Sequence, residues 1–266
     1  MPETAEKVNT VPRLRAPKEL TDETLAALRR GGVSRCVVFA DWPALEPEDN
    51  VYDEAAFDVL RRDLMTVGSL GIEPVLCLYR GVDPAWFSGR GGWLREDNLR
   101  CYLRYAGRVA RSVGHLASEY ITFYEPNARI WQDDGARPRL ADAVTAISFM
   151  ACTHIRAVRL IRDTRTQRGL EDTAVGIVMR LYPQLDLRRA LLRGKSHATA
   201  TGYQLMPLLA MALGEFRLPF RNVLRVQRGV WADFIGVTGA PEPDKRAACC
   251  AWAEETTGIP AWSVEE

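Results

Sequence analysis

One stretch constrains the fold of this chain more than any other: Tyr120-Ile121-Thr122-Phe123-Tyr124-Glu125-Pro126-Asn127, an apolar and aromatic run that meets a carboxylate and closes on a proline. Thr122 and Tyr124 alternate with Ile121 and Phe123, a pattern that suits a strand covered on both faces. Pro126 has no N–H to give to a ladder, so the strand ends near Glu125. A glutamate at the carboxyl end of a buried strand stands where α/β barrels place their chemistry. It can equally face water there, and position alone leaves both readings open.

Strand-like and helix-like runs alternate around this stretch. Thr21 fits a helix N-cap ahead of Leu25 and Leu28, and Gly31-Gly32 stops that helix. Arg35 to Trp42 reads as a buried strand, Glu54 to Gly68 as a helix with Phe57, Leu60 and Leu64 on one face, and Ile72 to Tyr79 as the next strand. Helices are expected over about 97–113 and 141–162, with interrupted helix over 185–216 and a last helix over 244–255. Strands are expected over 174–181 and 231–237 and near the carboxyl end. This rhythm predicts a parallel sheet with covering helices. No fixed-period repeat or low-complexity linker divides residues 1–266, so one domain is expected, with residues 1–18 either a flexible tail or the carrier of a short first strand at Val8-Asn9-Thr10-Val11.

Composition removes several function classes. A net charge of +1 gives no electrostatic case for nucleic acid or membrane binding, even though arginine far outnumbers lysine. The six cysteines and three histidines show no metal-ligand spacing, so neither a metal nor another cofactor is expected. Residues 1–15 carry no apolar signal-peptide core, and no run reaches the roughly 18 apolar residues of a membrane span. The expectation is a cytoplasmic, reduced setting.

Several short motifs in order resemble glycoside hydrolase family 1, the β-glucosidase family. These are Trp42 with Leu45-Glu46-Pro47-Glu48 and Tyr52, Gly71-Ile72-Glu73-Pro74-Val75, Asp83-Pro84-Ala85-Trp86-Phe87, Gly91-Gly92-Trp93, and Thr122-Phe123-Tyr124-Glu125-Pro126-Asn127. Val175-Gly176-Ile177-Val178, Asp233-Phe234-Ile235-Gly236-Val237 and Pro260 to Glu265 continue the series. The resemblance implies a (β/α)8 TIM-barrel type fold lacking its eighth strand. It implies a retaining β-glycosidase acting on a small glycoside, with Glu125 as acid/base and Glu265 as nucleophile. Such chemistry needs two carboxyl groups roughly 5–5.5 Å apart in environments that push their pKa values apart. The rival reading is an inactive barrel relative that binds carbohydrate or serves as a scaffold. A missing eighth strand would leave an open edge, covered by self-association, by the amino terminus, or by sequence beyond a fragment.

The sugar-gripping positions depart from the family pattern. Arg80 stands where the resemblance expects a histidine, Tyr124 where it expects an asparagine, and Arg180 where it expects another asparagine. Thr238-Gly239-Ala240 replaces Asn-Tyr-Tyr, and the arginine expected beside the nucleophile aligns with Val37, two residues from Arg35. With Asn127 and Trp131, the residues Arg80, Tyr124 and Arg180 make up the candidate substrate-binding set. Two arginines at a barrel mouth suit a bidentate clamp on an anion, which points to a glycoside bearing an acidic group. The alternative is that they pair with Glu125 or nearby acids. Trp42, Trp86 and Trp93 are expected to pack the framework, leaving Trp131 to line a leaving-group site.

Overall fold

The computed structural model describes residues 13–17, 20–130, 139–182 and 197–265. Seven parallel strands close into a barrel in chain order. They are β1 (Arg13–Arg15), β2 (Arg35–Phe39), β3 (Glu73–Cys77), β4 (Glu119–Tyr124), β5 (Ala174–Arg180), β6 (Ile235–Thr238) and β7 (Ala261–Glu265). Helices Asp22–Arg30, Glu54–Ser69, Leu99–Val113, Leu140–Thr166, His197–Leu213 and Pro243–Thr257 connect successive strands. The expected alternation and barrel are therefore present, without an eighth strand among the described residues.

Of the expected ways of covering the edge, the amino terminus is the one observed. The expected first strand at Val8-Asn9-Thr10-Val11 lies outside the described residues. Arg13–Arg15 is a strand that pairs with β7 along Arg13–Ser263, Leu14–Val264 and Arg15–Glu265, and with β2 at Arg15–Cys36. Ala16 N–H adds a 2.8 Å bond to the Glu265 carbonyl. The premise for self-association across an open seam falls away, because the chain satisfies that seam itself.

Local chemistry explains the element ends. Thr21 Oγ1 accepts from Thr24 N–H, and the Asp53 carboxylate accepts from Ala55 and Ala56 N–H, each capping a helix start. The sixth strand is shorter than expected, beginning at Ile235 rather than Trp231, because Asp233 is drawn out to cap Val175 N–H and pair with Arg162. Leu140–Thr166 is the only described helix long and apolar enough to cross a membrane, yet 78% of its apolar window is buried inside the protein, as befits a core helix.

Two cores result. Trp42, Phe87, Trp93, Tyr102, Tyr105 and Phe123 pack between barrel and helices, with Trp42 stacked on Tyr105 at 5.1 Å and Tyr102 on Phe123 at 4.9 Å. Trp42, Trp86 and Trp93 are thus framework residues, as expected. Inside the barrel lie Val37, Val75, Cys77, Ile121, Tyr124, Val178, Phe234 and Val264. Barrel diameter falls with strand number, so seven strands leave little room within. At Gly236 a Cβ would lie 2.7 Å from Val178 and 2.9 Å from Val264.

The alternation expected for β4 is broken. Its register against β5 shifts between Ile121 and Tyr124. Thr122 and Phe123 both face the helices, where Thr122 Oγ1 meets His154 Nδ1 at 2.6 Å, while Tyr124 turns into the barrel. A bulge of this kind re-aims the residues that follow it.

Candidate active site

The carboxyl ends of five strands converge on one cavity of about 490 Å³. It is lined by Arg15 at the end of β1, Glu125 just past β4, Arg180 ending β5, Thr238 ending β6 and Glu265 ending β7, with Tyr182, Gly239 and Arg246 among the remainder. This is the face on which (β/α) barrels carry their sites. The two glutamates singled out from sequence, 140 positions apart, therefore share a cavity.

Glu125 follows the β4 bulge with φ of +52°, in the left-handed region that non-glycine residues seldom occupy. Its N–H bonds the Val178 carbonyl at 2.8 Å and its carbonyl accepts from Ala128 N–H at 3.0 Å, which holds the strained turn in place. The side chain is 10% exposed, and both oxygens are occupied. Arg180 donates to Oε2 through Nε at 3.0 Å and through Nη2, and Thr238 Oγ1 donates to Oε1. Burial pulls the Arg180 guanidinium down, but the hydrogen bonds and charge of Glu125, with a contribution from Tyr182, leave its pKa raised above the ordinary arginine value. Of the two readings of Arg180 taken from sequence, the ion pair with Glu125 is present.

Glycine and asparagine set that arginine's position. At Gly239, with φ of +98°, a Cβ would lie 2.8 Å from the Leu181 carbonyl and 2.9 Å from Arg180 Cγ, so only glycine lets the Arg180 stem pass. Asn127 is fully buried and donates Nδ2–H to the Arg180 carbonyl at 2.7 Å while its Oδ1 accepts Arg180 N–H at 3.1 Å. Asn127, expected to touch substrate, instead fastens the end of β5 and does not line the cavity.

Glu265 accepts from Arg15 Nη1 at 3.2 Å and is 28% exposed. The arginine beside Glu265 is therefore Arg15 on β1. Arg35, the candidate two residues from Val37, is committed to Glu119 through Nε at 2.8 and 2.9 Å and lies over the Trp262 ring. Sequence reasoning missed Arg15 because a three-residue strand has no periodicity to reveal it. Thr238, which ends β6, was visible only as a departure from the expected Asn-Tyr-Tyr, and Arg246 carried no signal.

The remaining expectations part company with this cavity. Arg80 lies 3.9 Å from Asp41, over the Phe39 ring, and lines a separate cavity of about 390 Å³ against Val38, Leu45 and Leu60. Arg80 and Arg180 thus form no common clamp. The Tyr124 ring packs edge-on against Phe39 at 5.4 Å inside the barrel and is absent from the lining of the Glu125 cavity. Trp131 lies outside the described residues. Among the described residues no cluster of His, Cys, Asp and Glu is arranged to hold a metal ion.

Comparison with known proteins agrees with this fold. A β-galactosidase of Sulfolobus acidocaldarius is 30% identical over 116 residues, covering 40% of this chain and 23% of that protein. A cytosolic β-glucosidase of Cavia porcellus is 24% identical over 110 residues, covering 41% and 24%. Among solved structures, a β-glycosidase from Pyrococcus horikoshii superposes with a TM-score of 0.63 at 24% identity, over 81% of this chain and 50% of that one. Over part of its length this chain is similar to these β-glycosidases, and it shares their barrel fold. A β-glucosidase from Thermotoga maritima, in complex with castanospermine, gives a TM-score of 0.64 at 19% identity over 81% and 52%. The alignments span about a quarter of these curated relatives and about half of these solved chains. No family model matches the chain.

Proposed function

We propose that this chain binds a small β-glycoside across the cavity between Glu125 and Glu265 and hydrolyses it with retention, within a limit set by Arg180. The observation that carries the reading is that carboxylates from the ends of β4 and β7 line one cavity at the barrel mouth. Glu265 beside Arg15 suits a nucleophile: its ionised oxygen attacks the anomeric carbon as the bond to the leaving oxygen breaks. Glu125 then removes a proton from the water that releases the sugar from Glu265.

The first step is the restricted one. A general acid has to present a proton to the leaving oxygen, whereas both Glu125 oxygens accept hydrogen bonds from Arg180 and Thr238. That arrangement suits a base and not an acid. General acid catalysis contributes roughly 10²- to 10⁴-fold, so glycosides whose leaving group departs as a stable anion are the expected substrates. The paired Glu125 also favours a second reading, a carbohydrate-binding relative without turnover. The six cysteines, all buried and none in a disulfide, accord with a cytoplasmic setting.

The test compares 2,4-dinitrophenyl and methyl β-glucosides and β-galactosides on the wild type, Glu265→Gln and Glu125→Gln. Hydrolysis of the dinitrophenyl substrates, lost in Glu265→Gln and at least about 10²-fold faster than that of the methyl glycosides, supports the proposal. Turnover that is absent, or that survives in Glu265→Gln, leaves the binding relative.

A further inference from the structure

The cavity is lined by three arginines and two glutamates, one positive charge in excess. Arg15 is paired with Glu265 and Arg180 with Glu125. Arg246, from the first turns of helix Pro243–Thr257, forms no ion pair with any described residue. Its Nη1 donates to the Val264 carbonyl at 3.0 Å, its Nη2 reaches the Pro241 carbonyl at 3.4 Å, and its Nε is buried without a partner. Carbonyl oxygens orient a guanidinium without neutralising it. A guanidinium has five N–H donors, so each terminal nitrogen of Arg246 keeps one beyond these two bonds.

From this geometry we propose that Arg246 receives an anionic substituent of the sugar, a carboxylate or a phosphate, on the β6–β7 side of the cavity. The bond to the Val264 carbonyl places the guanidinium next to Glu265 in sequence, and the cavity's excess charge favours an anion. A fork anchored from behind by backbone carbonyls is preorganised for a two-point grip on such a group. The inference rests on the reading of the cavity as a glycoside site, but concerns its ligand rather than turnover. It replaces the Arg80–Arg180 clamp expected from sequence with a different arginine.

The experiment is calorimetric titration of the full chain with glucose, glucuronate, glucose 6-phosphate and inorganic phosphate, on wild type, Arg246→Gln and Arg246→Lys, with melting curves for each protein. At low salt either acidic sugar is expected to bind at least about tenfold tighter than glucose, with the margin narrowing as salt is raised. Arg246→Gln should abolish the margin, and Arg246→Lys, which keeps charge but loses the fork, should retain part of it. Equal affinities for neutral and acidic sugars would overturn the proposal. So would a margin that persists in a folded Arg246→Gln, or inorganic phosphate binding as tightly as the sugar acids. If Arg246→Gln does not fold, a margin unchanged in Arg246→Lys overturns it. Hydrolysis of neutral dinitrophenyl glycosides is read separately, so loss of turnover and loss of acid preference are distinguishable.

Discussion

The Arg180–Glu125 pair is the contact through which sequence divergence reaches the chemistry, and its strength can be bounded. Glu125 is 10% and Arg180 37% exposed, so the pair lies between a solvated surface bridge and a fully buried one. Surface pairs contribute about 0–1 kcal/mol, and removing one partner of a buried pair costs about 3–5 kcal/mol. Two donors from one guanidinium onto one oxygen, discounted for Arg180's exposure, put the coupling at about 1–2 kcal/mol. A double-mutant cycle of Arg180→Met, Glu125→Gln and the combination, read by urea denaturation, isolates that term. Arg180→Met should be the more damaging single change, since it strands a buried carboxylate. Glu125→Gln keeps an oxygen to accept from the guanidinium. With the pair removed, Glu125 is also free to present a proton, so Arg180→Met should narrow the rate gap between methyl and dinitrophenyl glycosides if it folds. A coupling below about 0.3 kcal/mol, or a rate gap unchanged in Arg180→Met, would refute the argument that this pair restrains Glu125.

Three further outcomes are expected. Asn127→Ala leaves the Arg180 N–H and carbonyl without their partner at a fully buried site, so it should destabilise by about 2–4 kcal/mol; a denaturation midpoint within error of wild type would count against the anchoring role. Burial pulls the His154 imidazole down to about 3, so the unfolded chain binds a proton that the folded chain refuses between about pH 6.5 and 3. Stability should therefore fall with falling pH across that window, by up to about 1.4 kcal/mol per unit from this group, and His154→Gln should flatten the slope. The Cys36, Cys77 and Cys250 thiols are pushed up to about 12 by burial, and all six cysteines are buried and outside disulfides. A thiol reagent at pH 8 should label none of them quickly in the native state and all six in denaturant; rapid native labelling would contradict the packing.

What was legible in the sequence was what repeats or stops. Helix periodicity, caps and proline breaks placed most elements within a few residues, and Pro126 alone put Glu125 at a strand end. What was not legible depends on pairing between distant segments. Arg13–Arg15 is too short to announce itself, and its role as the closing strand emerges only from its ladders to β2 and β7. The β4 bulge was equally hidden, because Thr122 and Tyr124 fit a regular alternation until Thr122 finds His154 on a helix 32 positions away. Arg180 was visible as an unusual residue at a strand end, but its partner followed from the turn at Glu125 and the room left by Gly239.

These hidden features bear on one another. Removing a strand narrows a barrel, and this one fills its interior with Tyr124 packed on Phe39. The ring occupies space below the mouth, and the bulge that turns it inward also sets the backbone turn at Glu125. Asn127, two residues on, then ties that turn to the backbone of Arg180, bringing the arginine's own side chain back to the carboxylate. Tyr124 and Arg180, the two positions where the resemblance expects asparagine, are thus linked through the turn at Glu125 and the Asn127 bonds. Changing either residue alone to asparagine should restore acid function only in part: Tyr124→Asn leaves a void in the inner core with Arg180 still bound, and Arg180→Asn frees the Glu125 oxygen, as Arg180→Met does, but leaves the bulge and the filled interior in place. Only the double reversal addresses both the occupied oxygen and the occupied space. A single reversal that alone conferred efficient hydrolysis of unactivated glycosides would break this linkage.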